Sequence, residues 1–219
     1  IRAVYSAIYL VTALSALISA RIVPAFTQNA LVSKYQKKIE CSTPKWAHLA
    51  PVVLIVFFAF LVMFEVNSVM TGLLAIVISA ILFFRMGKWH SFKTLDMPIV
   101  WVLHAAYIWL PIGFLLRGFA AFGVLVEQAS ALHALSIGAI GLLILAVASR
   151  AALGHAGVAV VASHLTVLSY VLVLIAVLLR TLAQDDLLIV ISGFCWVLGF
   201  CLFSFEYAPL LLKKDPAPV

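Results

Sequence analysis

The sequence predicts an all-α fold: a polytopic transmembrane helix bundle of about seven spans. Three observations carry that reading. The 219 residues are 66% hydrophobic and only 10% charged, and mean hydropathy is +1.22. A soluble chain keeps about a quarter of its residues charged to hold a wet surface, so the solvent of this chain is mostly lipid. Apolar runs near the ~20 residues that cross a bilayer recur seven times. The cations between those runs fall mainly in alternate connections.

The predicted spans lie near 3–20, 49–64, 67–84, 98–116, 129–149, 158–179 and 187–208. "TPKW" at 43–46 precedes the second span, and "EVN" at 65–67 makes a tight turn into the third. "DMP" at 96–98 offers Asp96 as an N-cap and Pro98 at the first helical position of the fourth. "LGHAG" at 153–157 closes the fifth span, with Gly154 expected at the C-cap. "AQDD" at 183–186 separates the last two spans. The whole of 1–219 reads as one transmembrane domain. Because it opens on Ile1 rather than Met, it is expected to be a piece of a longer protein.

An odd number of spans puts the two chain ends on opposite sides. The connections at 21–48, 85–97 and 150–157 and the C-terminal tail share one side. They carry Arg21, Lys34, Lys37, Lys38, Lys45, Arg85, Lys88, Lys93, Arg150, Lys213 and Lys214. The other side carries Arg2, Arg117 and Arg180. The positive-inside rule therefore places the N-terminus outside and the C-terminus in the cytoplasm. The net charge of +6 is accounted for by these connections, and nucleic acid is not an expected partner. Cys41, Cys195 and Cys201 form no CxxC pair, so neither a disulfide nor a zinc site is expected.

Polar groups inside such spans need a reason. Of six histidines, His48 and His90 belong to basic connections. His104, His133, His155 and His164 fall at or within span ends. His104 lies about 9 Å from the cytoplasmic end of its helix, and His164 a similar distance into the sixth span. His133 enters from the outside, and His155 sits at the cytoplasmic surface. His104 and His133 differ in height by roughly 13 Å, too much for one iron. Two layers are expected, an outer one at His133 and an inner one around His104.

On the fifth span Ala134, Gly138, Gly141 and Leu145 form a stripe of mostly small residues. It suits either a porphyrin face or a close helix neighbour. Pro111 should kink the fourth span, since it cannot donate to the carbonyl of Tyr107. Arg150 is either an orientation anchor or a clamp for an anion such as a carboxylate. Arg21 and the polar "TQN" at 27–29 either line the mouth of the inner site or are simply loop.

Three segments carry a resemblance. "HALSIGAIGLLILAVASRAALGHAG" at 133–157, "WVLHAAYIWLPIGFLL" at 101–116 and "RIVPAFTQNAL" at 21–31 resemble, in the same order, the signature of the NnrS family of bacterial membrane proteins. The resemblance covers essentially the whole chain and matches Arg21, Pro24, Asn29, His104, His133, Arg150, Gly154 and His155. Family members are about twice as long, so it implies the C-terminal part of the fold, without the N-terminal His-rich segment. It implies a bacterial inner-membrane protein of the nitric oxide and nitrosative-stress response that holds haem, b-type by expectation, and copper. On that reading His104, His133 and His155 are metal ligands. Arg150, Arg21, Gly138 and Gly141 border the cofactor, and a small gas such as nitric oxide is the partner. The competing function class is a transporter or channel with histidines along a proton or ion path.

Overall fold

The computed structural model describes residues 2–37, 39–124, 127–182 and 185–212. Lys38, Lys213 and Lys214, which entered the charge count, lie outside them, as do residues 183 and 184 of the "AQDD" connection. Seven helical stretches are long and apolar enough to cross a membrane. Among the described residues there is no strand.

Helix α1 runs from Arg2 to Tyr35, α2 from Lys45 to Met63 and α3 from Ser68 to Met86. A 3₁₀ turn at Ser91–Thr94 leads into the fourth span, which is α4 (Pro98–Tyr107) followed by α5 (Trp109–Ala121). The fifth span joins α6 (Gln128–His133), a π-helical stretch at Ala134–Gly141 and α7 (Leu142–His155). Helices α8 (His164–Leu182) and α9 (Asp186–Leu212) complete the chain.

The expected 21–48 connection is mostly helix. Pro24 sits inside α1, and α1 continues past it, because a chain in lipid must satisfy its backbone internally. Arg21 is therefore an exposed residue in the body of a helix and not the start of a loop. The break in the fourth span falls where Pro111 dictates, with α4 ending at Tyr107 and Ile108 forming a turn. Ser79 then donates to the Pro111 carbonyl at 2.7 Å, which ties α3 to α5 just past the break.

Two terminator assignments shift. Asp96 does not cap α4; Met97 takes that place, and Asp96 accepts from Lys34 at 2.6 Å instead. That bond holds the Asp96 carboxyl below its ordinary range. Gly154 stays helical, and Gly157, with φ +67, makes the left-handed turn after α7. The sixth span starts at His164 rather than 158. His164 is thus an exposed first-turn residue and not a group buried in the span.

Small residues set the helix contacts. A Cβ on Gly118 of α5 would lie 2.6 Å from Ile76 Cγ1 and 3.2 Å from the Gly72 carbonyl of α3. A Cβ on Gly138 would lie 2.5 Å from Trp109 Cγ. Gly138 thus receives the Trp109 ring, so the helix-packing reading of this glycine holds. Gly118→Val should cost about 1–3 kcal/mol by overpacking. Gly154→Ala, where a Cβ meets nothing within 4 Å, should be neutral or slightly stabilising. Unfolding of the purified protein in detergent checks both; equal effects would contradict the packing.

Candidate functional site

Helix α3 ends at Met86, and the segment after it meets the side of α4 at Ser91. His104 faces it, only 4% exposed. Its Nδ1 lies 2.9 Å from Ser91 Oγ, and its Nε2 lies 2.7 Å from Thr27 Oγ1. His104 is therefore level with the segment that follows α3.

The hydrogen-bond network assigns the tautomer. A threonine hydroxyl has one proton, and that of Thr27 is donated to the Val23 carbonyl at 2.7 Å. With that proton committed, Nε2 is the N–H that donates to Thr27. In the neutral imidazole Nδ1 then keeps its lone pair and accepts from Ser91. The ring is oriented by two separate elements, which is how a protein presents a ring nitrogen as a ligand.

The Nδ1 side borders a cavity of about 610 Å³. Its walls are Phe83, Met86, Trp101, Ala105 and Ile108, with His90, Ser91, Phe92, Lys93 and Leu95 towards the opening. Trp89 stands behind the imidazole, its ring centroid 6.4 Å away and edge-on.

Beside this group lies a residue that the charge count treated as a loop cation. Arg85 is fully buried. Its Nε donates to the Tyr107 hydroxyl at 2.7 Å and its Nη2 to the Ala16 carbonyl at 3.0 Å. The guanidinium carbon lies 5.1 Å from the Tyr107 ring centre and 5.7 Å from that of Trp89. Nη1 has no partner. A signal was present in the sequence: Arg85 continues the buried stripe Ala75, Ile78 and Leu82 at helical spacing.

The other expected site residues are dispersed. His133 is half-buried, with Arg180 of α8 within electrostatic reach. It belongs to the opposite half of the bundle from His104. His155 is exposed at the end of α7. A Cβ on Gly141 would meet only its own helix and Trp196, at 3.5 and 3.9 Å. Arg150 stacks on Phe26, 3.9 Å from the ring centre. It lines a neighbouring cavity of about 470 Å³ together with Asn29, Lys34 and Asp96. Arg21 lines neither cavity.

The residues at this cavity fit haem: His104 would offer one imidazole nitrogen to the iron, and the apolar lining would face the porphyrin. Copper does not fit in the same way. Among the described residues no group of three His, Cys, Asp or Glu side chains is placed to hold a metal ion, so no copper chemistry is derived from these residues.

The model of one protein family, described as NnrS protein, matches residues 1–214. The chain belongs to the NnrS protein family. It is accordingly a multi-pass membrane protein related to the nitric oxide response. Neither curated proteins nor solved structures gave a match. Within the family match, the resemblance segments at 21–31 and 101–116 supply the Thr27–His104 contact. The third segment packs on them through Gly138 and through Arg150 against Phe26.

The Thr27 contact has a measurable consequence. Thr27→Val keeps the shape but leaves the buried Nε2–H without an acceptor. It should cost about 1–3 kcal/mol, the scale of an unsatisfied buried donor. Thr43→Val, which removes the 2.8 Å partner of the less buried His48, should cost less. Denaturant unfolding of both variants checks the order; equal losses would contradict the tautomer assignment.

Proposed function

We propose that this chain forms a haem-bearing part of a bacterial inner-membrane protein that binds a small uncharged gas, nitric oxide by preference, with His104 as the ligand histidine. The observation that carries the reading is the combination of an oriented, neutral His104 with an apolar cavity on its lone-pair side. Haem, when bound, supplies the iron centre at which a diatomic gas coordinates. The chain's own residues do the rest. Thr27 holds the ring orientation and fixes Nε2 as the donor. Ser91, on the other side of the ring, would give up its hydrogen bond to release Nδ1 to a metal. Phe83, Met86, Trp101 and Ile108 exclude water, so that a neutral gas arriving through lipid is favoured over ions.

His133 and His155 stand apart from His104 and enter the proposal as separate positions, not as ligands of the same iron. Arg150 is placed in the adjacent cavity as an anion-binding group, and its cation–π contact with Phe26 keeps the guanidinium at the cavity wall.

The test is the optical spectrum of the full-length protein purified from membranes. The proposal expects a Soret band that is lost or strongly reduced in His104→Ala at equal protein level, and retained in His48→Ala. Equal haem loss in the two variants, or no haem in the wild type, would overturn it.

The cytoplasmic placement of this cavity follows the positive-inside rule, and the bias survives the removal of buried Arg85 and Arg117 from the count. Cys41 is a poor reporter of orientation. It is buried beneath the Trp89 carbonyl at 3.9 Å, and that burial pushes its thiol pKa up. Ser42 beside it is exposed. A Ser42→Cys variant lacking the three native cysteines should react with an impermeant maleimide only in inside-out vesicles. Labelling in intact cells would reverse the orientation.

A further inference from the structure

At the end of the bundle remote from His104, a third cavity of about 340 Å³ opens among α1, the α2–α3 turn, α5 and α6. Its wall mixes polar and apolar surface and includes Arg2, Tyr5, Glu65, Ser68, Arg117 and Gln128. Arg2 and Glu65 pair with each other at the rim, with side chains 59% and 58% exposed. Arg117 lies behind them and is only 8% exposed.

Arg117 has the features of a cation awaiting a partner. Among the described residues it makes no ion pair. Its Nε is buried without a hydrogen-bond acceptor. Its guanidinium carbon sits 5.7 Å from the Phe58 ring centre. The buried Tyr9 hydroxyl lies within electrostatic reach of it, but outside well-formed hydrogen-bonding geometry. The position is fixed by the backbone. Gly118 beside it packs 2.6 Å (measured to an added Cβ) from Ile76, and Gly72 packs 2.8 Å from Ala121 in the same sense. The α3–α5 seam therefore fixes the backbone that carries Arg117.

We propose that this cavity is a binding site for a small planar oxyanion, a carboxylate or an anion of nitrate shape. A buried guanidinium without a counter-charge is costly, and its planar fork matches a planar anion through two parallel hydrogen bonds. The Phe58 face and the apolar helix seam lower the local dielectric and strengthen the pairing. Arg2, Tyr5 and Gln128 supply further donors at the opening, and Glu65 offsets one of the two positive charges, so the site carries a single net positive charge for a monovalent ligand. The site stands independently of haem and of the His104 cavity.

The test is isothermal titration of the full-length protein in nanodiscs of zwitterionic lipid. Nitrate and formate are titrated against a chloride background at constant ionic strength. Saturable binding of at least one planar anion is expected in the wild type. Arg117→Lys, which keeps the charge but loses the fork, should weaken it about tenfold or more, and Arg117→Gln should abolish it. Should the Arg117 variants fail to fold, Gln128→Leu at the exposed rim is read instead, with an expected loss of about three- to tenfold. No saturable heat in the wild type overturns the site as an anion site, as does binding left unchanged in Arg117→Gln or, where that variant does not fold, in Gln128→Leu. Loss of haem in His104→Ala has no bearing on this result, so the two proposals fail separately.

Discussion

A neutral imidazole buried in an apolar bundle needs one acceptor for its N–H and has one lone pair to offer. At His104 both requirements are met by hydroxyls from distant parts of the chain. Thr27 comes from α1 and Ser91 from the turn after α3. The contact joins segments 77 and 13 residues away. It holds α4 against α1 and draws the post-α3 chain over the end of the bundle. Thr27 can serve only because its own proton goes to Val23 within α1, so the helical geometry of α1 determines which imidazole nitrogen remains available. That nitrogen faces a cavity, and the functional proposal rests there.

Among the described residues the bundle also buries two guanidinium groups, Arg85 and Arg117, that form no ion pair. Arg85 is held by a tyrosine hydroxyl, a helix carbonyl and two aromatic faces. Arg117 is held by one aromatic face and the edge of a polar cavity. In lipid such charges cannot be left to solvent, so each marks a place where the protein concentrates polar contacts. Arg85 reinforces the inner group around Trp89 and Tyr107. Arg117 stands at the far end, where few internal partners reach it. The two arginines therefore mark opposite ends of one architecture, with His104 beside the better satisfied of them.

Much of this was legible in the sequence. Hydropathy alone locates the seven spans, because the bilayer sets their length and leaves the chain little choice. Pro111 announces the break before Trp109, since a missing N–H has the same effect in any helix. Counting from Pro98 gives His104 a position along α4, but a residue count cannot show that Ser91 and Thr27 close on its two ring nitrogens. Asp96 and Gly154 look like helix terminators by type, yet Lys34 captures the first and Gly157 takes the strained conformation in place of the second. Gly138 satisfied both a cofactor reading and a packing reading until the Trp109 ring was seen to occupy it. Arg85 followed the buried stripe of α3, but a cation at a span end is read first as an anchor.

The central claim is that the His104 imidazole, and no other histidine of this chain, is presented as the nitrogen ligand of an iron centre. Pulsed electron paramagnetic resonance of the full-length protein with ¹⁵N-labelled histidine tests it most directly. The account predicts strong hyperfine coupling from one imidazole nitrogen to the haem iron, absent from the His104→Gln variant and retained in His133→Gln. Coupling that survives in His104→Gln and disappears in His133→Gln would contradict it.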